Sequence, residues 1–346
     1  MGRWTPSKSL DDSMESDWSC STVRFQVKVP ENGGNLTVKS TGRYLRINAT
    51  VVEEGNPFPL DMQSLGSSPI WKAGGSFING NAKADNKLEF KKAGNYTVVL
   101  VKMTQAMPFG SGIGTETLGD SRWVFVGVSY DTSLSLPVAI DMPSARRINI
   151  IGASDTAGYC ADGQPSQKGP PATGWEYTSC AQSYSGSLGA LLAADTSVQG
   201  SEGIGLTQNA NAKEPWQLGR LTMPGYFPRA LQSQATPLFN FSSWKPQLVI
   251  ISLGGNDYNH QEGHVPNRTT FTDASENFLL SIFSHYPGVT IVNVCGQGYP
   301  AETKSDPDNN RCRPCPSVEN ATGASEKGGH ALSLIFRAQS AFVSLP

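Results

Sequence analysis

Residues 147–159 read Arg-Ile-Asn-Ile-Ile-Gly-Ala-Ser-Asp-Thr-Ala-Gly-Tyr, and this stretch decides the fold of the C-terminal half. An apolar run, 148–151, leads into a Gly-x-Ser corner, and Gly158 follows four residues after Ser154. A buried strand that ends in such a turn holds a serine hydroxyl rigidly at the carboxyl end of a sheet. The next residues can begin a helix whose first N–H groups face the same place. The pattern makes Ser154 a candidate nucleophile.

The remainder of this half alternates short apolar runs with amphipathic stretches. Residues 248–253 and 289–294 are continuous apolar runs, which are typical of strands buried on both faces. Between the runs, apolar residues recur at helical spacing over 184–192 and 278–286. Strands that alternate with helices form right-handed βαβ units and a parallel sheet. We therefore expect an α/β domain over residues 143–346, with its site at the carboxyl ends of the strands.

Residues 1–142 show a different period and predict an all-β domain. Val23, Phe25, Val27 and Val29 alternate with polar residues, and residues 96–101 form a β-branched run. Asn-Gly, Gly-Gly and Lys-Ala-Gly turns separate such runs. Several short strands with these turns predict a β-sandwich or jelly roll.

Charge and hydropathy argue against two classes of partner. The chain has 346 residues, a net charge of -2 and 16% charged residues, so no broad basic face for nucleic acid is expected. The longest clean apolar run, residues 248–251, is far too short to span a bilayer. The length is that of roughly two domains, and we expect a monomer that binds neither nucleic acid nor membrane.

Two features indicate an extracellular protein. Six Asn-x-Ser/Thr sequons, the acceptor triplets of N-glycosylation, lie at Asn35, Asn48, Asn95, Asn240, Asn267 and Asn320. The chain also contains six cysteines, as a disulfide framework would. Met1 leads directly into domain-like sequence, so we expect a secreted glycoprotein whose leader is absent from this sequence.

Four of the cysteines invite a specific interpretation. Cys160 and Cys180 bracket a Gly/Pro-rich loop, and a disulfide between them would staple it, although the sequence does not fix the pairing. Cys312 and Cys315 have the spacing of half a zinc site, but no second Cys/His pair has a matching spacing. For these two we expect a disulfide or free thiols.

Three loops are expected to converge at the carboxyl edge of the sheet. The first carries Ser154. The second, residues 200–205, follows a predicted strand at 196–199, and the third, Gly-Gly-Asn-Asp at 254–257, follows the run 248–253.

These loops contain the donors that acyl transfer needs around a developing oxyanion. The N–H of Ser154, the N–H of Gly203 and the side-chain amide of Asn256 would supply three of them. The plainer alternatives are that Gly203 only forms a turn and that Asn256 and Asp257 cap the following segment.

The order Gly-x-Ser, isolated Gly, Gly-x-Asn-Asp resembles the block order of the SGNH hydrolases. The fuller resemblance is to the two-domain carbohydrate esterases of family two, and it covers most of the chain. The other segments that carry it are Gly-Arg-Trp at 2–4, Lys-Met-Thr-Gln-Ala at 102–106, and residues 146–148, 223–231 and 241–246.

The resemblance implies an α/β SGNH (flavodoxin-like) hydrolase domain with a parallel sheet, preceded by an all-β jelly-roll or sandwich domain. It implies that Ser154 is the nucleophile and that the Ser154 and Gly203 N–H groups and Asn256 form an oxyanion hole. The implied reaction removes acetyl groups from a carbohydrate through an acyl-enzyme, without a cofactor or a metal.

A serine nucleophile needs a base, and here the sequence departs from the family. The family places its base in an Asp-x-x-His-Pro block near the C-terminus. The four histidines, His260, His264, His285 and His330, lack a following proline, and no Asp-x-x-His occurs. His285 ends a predicted helix and has the position of a C-cap. His330, which precedes an apolar stretch, is the best-placed candidate.

We expect that the sequence stops before that block. Residues 312–321 resemble the helix-forming segment before the family's final strand, and residues 340–346 are predicted to be that strand. A second departure is Ala153, where the family usually has aspartate. A truncated sequence and a catalytically degenerate relative are both compatible with these departures.

Two other functions compete with the esterase. A glycan-binding module would hold sugars on exposed aromatics such as Trp71 or Trp123, although tryptophans are more often core residues. An SGNH lipase or thioesterase would act on a lipid or thioester, but no apolar lid is evident and the sandwich partner favours carbohydrate.

Overall fold

A computed structural model describes residues 2–42, 45–55, 71–73, 77–78, 84–106, 121–131, 134–135, 138–139, 146–162, 177–210, 220–258, 266–295, 314–327 and 333–337. None of the helices in these ranges is both long enough and apolar enough to cross a bilayer. The elements fall into an antiparallel N-terminal part and a parallel C-terminal part.

Where the structure describes it, the N-terminal part forms two antiparallel sheets, which we call the β-sandwich. Its strands in chain order are β1 (Thr5–Pro6), β2 (Met14–Ser16), β3 (Thr22–Val29), β4 (Gly34–Thr41), β5 (Leu45–Glu53), β6 (Trp71–Ala73), β7 (Phe77–Ile78), β8 (Ala84–Phe90), β9 (Gly94–Lys102), β10 (Trp123–Tyr130) and β11 (Val138–Ala139). One sheet has the order β1-β2-β10-β4-β8-β6, and the other has the order β11-β3-β9-β5-β7.

The predicted alternation explains why these two sheets share a core. Phe25, Val27 and Val29 of β3 are buried on one face and pack with Leu36 of β4 and Trp123 of β10 from the other sheet. Trp123 is fully buried, and its Nε1 donates to Oγ of a serine on β4 at 2.9 Å. The suggestion that Trp123 is an exposed aromatic that binds sugar is therefore wrong. The side chain of Trp71, the other suggested residue, lies outside the described part of the structure.

In its described residues the C-terminal part, which we call the α/β region, contains one parallel sheet and five α-helices. Its elements in chain order are β12 (Arg147–Gly152), α1 (Ser154–Ala157), α2 (Tyr184–Leu191), β13 (Asp195–Gly200), α3 (Met223–Tyr226), β14 (Leu248–Leu253), α4 (Arg268–His285), β15 (Thr290–Cys295), α5 (Pro314–Lys327) and β16 (Ser333–Arg337). The predicted parallel sheet is confirmed, with the order β13-β12-β14-β15-β16. The segment 340–346, predicted as the last strand, lies outside the described residues.

The strand order places a crevice at the end of β12. The chain passes from β12 to β13 on one side and then to β14 on the other side. In such sheets the loops at the carboxyl ends separate at this reversal and leave room for a ligand. Both faces are covered, because Ile148 and Ile150 face one core and Ile151 faces the other.

The β-sandwich and the α/β region are joined by buried contacts near the N-terminus. Trp18 belongs to the core of the α/β region, and its Nε1 donates to the carbonyl of Ala230 at 2.9 Å. Arg3 is fully buried, donates to the carbonyls of Phe227 and Arg229, and stacks on the Phe239 ring. The Gly-Arg-Trp opening therefore anchors one part to the other.

The cysteines correct one prediction. Cys180 forms a disulfide with Cys20, 160 residues earlier, and Cys160 is a free cysteine. The suggested Cys160–Cys180 bridge does not form, because the segment at Cys180 packs against the β-sandwich, where the Cys180 N–H donates to the carbonyl of Met103 at 3.0 Å. Cys315 is in a disulfide, so it is not a free thiolate that can bind zinc.

Candidate active site

Ser154 lies at the junction of β12 and α1. The strand ends at Gly152, Ala153 is the N-cap, and Ser154 is the first helical residue. A Cβ at Gly152 would lie 1.9 Å from Oγ1 of Thr156 and 2.9 Å from the carbonyl oxygen of Ser252. Only glycine therefore lets the first turn of α1 pack this closely on the strand ends. The first N–H groups of a helix have no intrahelical acceptor, so the N–H of the half-buried Ser154 is available to a ligand.

Gly203 lies in the loop after β13 and has a left-handed backbone, with φ of +68°. Glycine adopts this conformation without the steric cost that a side chain would bring. The residue is buried, and its carbonyl accepts from the N–H of Ala210 at 2.8 Å, which closes the loop on itself. No described residue accepts a hydrogen bond from the N–H of Gly203.

Polar side chains hold the residue before Gly203 from two sides. Oε1 of Gln105 accepts from the N–H of Glu202 at 2.7 Å. Nη1 of Arg220 donates to the carbonyl of Glu202 at 3.0 Å, and Nη2 donates to Oγ of Ser201 at 3.1 Å. The backbone around Glu202 is therefore fixed by one residue of the β-sandwich and one of the α/β region.

Asn256 links the third loop to the second. It is 7% exposed, and its Nδ2 donates to the carbonyl of Ile204 at 2.7 Å, next to Gly203. An asparagine amide has two N–H donors, so this bond uses one and leaves the other for a ligand. The amide is thus oriented by the loop that carries the second predicted donor.

Asp257 fastens the third loop to residues 206–208, which directly follow the second loop. It is fully buried, and its carboxylate accepts from the N–H groups of Leu206, Thr207 and Gln208 and from the hydroxyl of Thr207. Burial raises the pKa of this carboxyl, and the hydrogen bonds from Thr207 and its neighbours oppose that rise. Asn256 therefore bonds back to the second loop and Asp257 to residues 206–208, which directly follow it, so the two side chains do more than cap the next segment.

The sheet order brings the three predicted residues to one edge. Ser154 follows β12, Gly203 follows β13 and Asn256 follows β14, and these are three adjacent parallel strands. The helix α1 also packs against β13. The strand order thus places a serine hydroxyl and candidate backbone and amide donors at the same edge of the sheet, and these are the kinds of group that acyl transfer uses.

An acidic group lies beside these donors. The Tyr159 hydroxyl donates to the carboxylate of Glu202, and the free thiol of Cys160 is close to both. Burial raises the pKa of Glu202, while Arg220 lowers it in part. Burial also raises the pKa of Cys160, so this cysteine is not an activated nucleophile.

His285 is far from this edge. It is the last residue of α4 and stacks on the Phe241 ring with a centroid separation of 3.8 Å, next to Arg3. Burial, and secondarily Arg3, lower its pKa. The predicted position at the helix end is confirmed, but the expected C-cap role is wrong because the C-cap is Tyr286. His260, His264 and His330 lie outside the described residues.

Sequence reasoning missed the residues that hold the loops. Gln105 and Glu202 are 97 positions apart, and their pairing has no local signal. Gln105 does lie in the segment 102–106 that carried the family resemblance, and Glu202 immediately precedes the predicted Gly203. These two positions were the sequence features that could have indicated a role for Gln105 and Glu202 near the site.

The chain is similar to several characterised proteins. It is 26% identical over 275 residues to the cellulase/esterase CelE of Acetivibrio thermocellus, covering 79% of this chain and 28% of that protein. It is 27% identical over 181 residues to an acetylxylan esterase / glucomannan deacetylase of Cellvibrio japonicus, covering 52% and 45%, respectively. No family model matches the sequence.

A solved structure extends this likeness to the fold. A family-two carbohydrate esterase from Clostridium thermocellum, in complex with cellohexaose, superposes with a TM-score of 0.68 at 20% identity. The match covers 98% of this chain and 89% of that chain. The chain spans less than half the length of the two curated relatives.

Proposed function

We propose that this chain, which resembles the family-two carbohydrate esterases in sequence and fold, is a serine esterase that removes acetyl groups from an acetylated carbohydrate. Ser154 is the proposed nucleophile. The N–H groups of Ser154 and Gly203 and the amide of Asn256 are the proposed oxyanion hole. The proposal needs no cofactor and no metal.

One observation carries the assignment of the site. The Asn256 amide donates one hydrogen to the carbonyl of Ile204 and has a second N–H left, beside Gly203 and at the edge where β12 delivers Ser154. Removing one such donor from an oxyanion hole typically lowers kcat by about 100-fold to 1,000-fold. A serine placed among fixed donors is what an acyl-transfer site requires, and a plain turn does not require it.

In the proposed reaction, Oγ of Ser154 attacks the carbonyl carbon of the acetyl ester while a base takes its proton. The oxyanion of the tetrahedral intermediate accepts from the three donors. The C–O bond to the sugar then breaks, the base returns the proton to the sugar oxygen, and acetyl-serine remains. Water attacks this ester by the same route and releases acetate. His330, which lies outside the described residues, is the candidate base from the sequence.

The finer architecture is part of the same proposal. We take residues 1–142 as a jelly-roll domain and residues 143–346 as the SGNH domain. The protein is proposed to be a secreted, glycosylated monomer, in keeping with its six sequons and its disulfides. An extracellular location suits a polysaccharide substrate that does not enter cells.

Acetate release tests the proposal. The wild-type chain, Ser154→Ala and Ser284→Ala are incubated with acetylated xylan and with p-nitrophenyl acetate. Ser284 is an exposed serine of α4 whose hydroxyl donates to a neighbouring carbonyl, so its variant is a matched control. We expect wild type and Ser284→Ala to release acetate equally and Ser154→Ala to lose about 99.9% of the rate or more, a reduction of about 1,000-fold or more by analogy with other nucleophile variants. Equal rates for wild type and Ser154→Ala would overturn the assignment.

A glycan-binding role without turnover is the second candidate. It is favoured by the cellohexaose bound to the structural neighbour from Clostridium thermocellum. Calorimetry with cellohexaose distinguishes the two roles: binding that persists in Ser154→Ala, with no acetate release by wild type, would favour the binding module.

A further inference from the structure

Gln105 is a buried residue of the β-sandwich that reaches the proposed oxyanion hole. It follows β9 by three residues and is 1% exposed. Its own carbonyl accepts from the hydroxyl of Ser121 at 2.6 Å, which fixes the backbone from which the side chain extends. The side chain therefore starts from a rigid position.

The side-chain amide of Gln105 contacts both the backbone and the side chain of Glu202. Oε1 accepts from the Glu202 N–H at 2.7 Å, and Nε2 lies 3.5 Å from Oε2 of Glu202, at the limit of a hydrogen bond. On the other side, Arg220 holds the Glu202 carbonyl. The two peptide groups that flank the Glu202 Cα are thus each held by a separate side chain.

Because the peptide group is planar, these contacts to Glu202 also set the direction of the Gly203 N–H. The carbonyl of Glu202 and the N–H of Gly203 belong to one planar group and point in opposite directions. When Arg220 fixes the carbonyl and Gln105 fixes the preceding N–H, the N–H of Gly203 has one direction. The left-handed φ of Gly203 then changes the direction of the chain that follows this N–H.

We propose that Gln105 is a positioning residue that aims the Gly203 N–H at the substrate oxyanion, so that the β-sandwich completes the site of the α/β region. The proposal rests on the proposed esterase function. It gives the β-sandwich a part in turnover, separate from any role in binding a polysaccharide.

Two variants separate this role from stability. Gln105→Leu keeps the size of the side chain and removes both bonds. The exchange Gln105→Glu with Glu202→Gln reverses the pair: a carboxylate at 105 still accepts the backbone N–H, and an amide at 202 donates to it and still accepts from Tyr159. Gln247→Leu is the matched control, because Oε1 of Gln247 also accepts a backbone N–H at 2.7 Å, that of Arg147, at the amino edge of the sheet.

The test measures kcat and KM for p-nitrophenyl acetate, the melting temperature, and hydrogen exchange of peptides that cover residues 201–206, all on the full chain. We expect Gln105→Leu to lower kcat by about 10-fold to 100-fold, which does not exceed the effect of removing an oxyanion donor. KM should be unchanged, and hydrogen exchange of the peptides that cover residues 201–206 should be faster. The exchanged pair should recover kcat to within a few-fold of wild type, and Gln247→Leu should retain wild-type kcat.

A Gln105→Leu variant with wild-type kcat and wild-type exchange would overturn the proposal. If Gln105→Leu does not fold, Gln105→Glu alone is compared with the exchanged pair, and failure of the pair to improve kcat and exchange overturns it. If wild type releases no acetate, the esterase proposal fails, and hydrogen exchange alone then decides whether Gln105 orders the loop.

Discussion

Replacing Asp257 with asparagine should destabilise the α/β region and misplace the second loop. In the wild type, one carboxylate oxygen accepts from the N–H and hydroxyl of Thr207 at 2.6 Å each and from the Gln208 N–H at 3.1 Å. The other oxygen accepts from the Leu206 N–H at 2.9 Å. Asparagine keeps the first oxygen and puts an NH₂ group opposite the Leu206 N–H, so two donors face each other.

The magnitude follows from the number of lost partners. The variant replaces the 2.9 Å bond from the Leu206 N–H to a charged acceptor with a contact between two donors, and this N–H retains only the 3.2 Å contact to the first oxygen. This change costs about 1–3 kcal/mol of unfolding free energy. Asp257→Ala leaves all four donors without their acceptor and should cost more, about 5 kcal/mol.

Urea denaturation followed by tryptophan fluorescence measures the loss, and acetate release measures the consequence for the site. Asp131→Asn is the matched control, because this exposed aspartate accepts from the N–H of Asn35 at 3.0 Å and its loss should cost about 0.5 kcal/mol or less. If Asp257→Asn is as stable as this control and turns over at the wild-type rate, the carboxylate does not hold the loops together.

Four further predictions concern other parts of the molecule. Asn256→Ala should lower kcat about 100-fold or more without a comparable rise in KM, as measured on p-nitrophenyl acetate. Gly152→Ala should abolish most activity, since its Cβ would lie 1.9 Å from a threonine oxygen of the serine helix, and circular dichroism should still show a folded protein. Burial lowers the pKa of Lys102 to about 7 in the folded chain, against about 10.4 when unfolded. Because the unfolded state then binds more protons, unfolding free energy should rise with pH from about 7 to about 10, and Lys102→Met should remove that slope in urea titrations. Replacing Cys20 and Cys180 by serine opens a loop of 160 residues and should cost up to about 5 kcal/mol by chain entropy, measured by denaturation with and without reductant.

The local signals in the sequence predicted the α/β region well. Continuous apolar runs at 148–151 and 248–253 reported strands that are buried on both faces, and β12 and β14 lie where those runs are. Gly203, which the sequence offered as a donor or as a plain turn residue, has a left-handed backbone. Such features depend on neighbouring residues, which is why one sequence suffices for them.

Pairings between distant residues were beyond the sequence. The Cys20–Cys180 bond was missed because disulfide connectivity depends on how the two parts pack, and the nearer Cys160 was the simpler partner. The Gln105–Glu202 contact and the hydrogen bonds between Asp257 and residues 206–208 were missed for the same reason. In each case tertiary packing, not local pattern, selects the partner.

The central claim is that Ser154 carries the acyl group. Wild type and Ser154→Ala are mixed with p-nitrophenyl acetate, quenched with acid in the first turnover and digested with trypsin. The peptide 148–168 contains both Ser154 and Ser166, and fragmentation assigns the modified residue. We predict an acetyl group on Ser154 of the wild type and none in the variant. Acetate release by the wild type with the acetyl group on another residue, or with none on this peptide, would contradict the account.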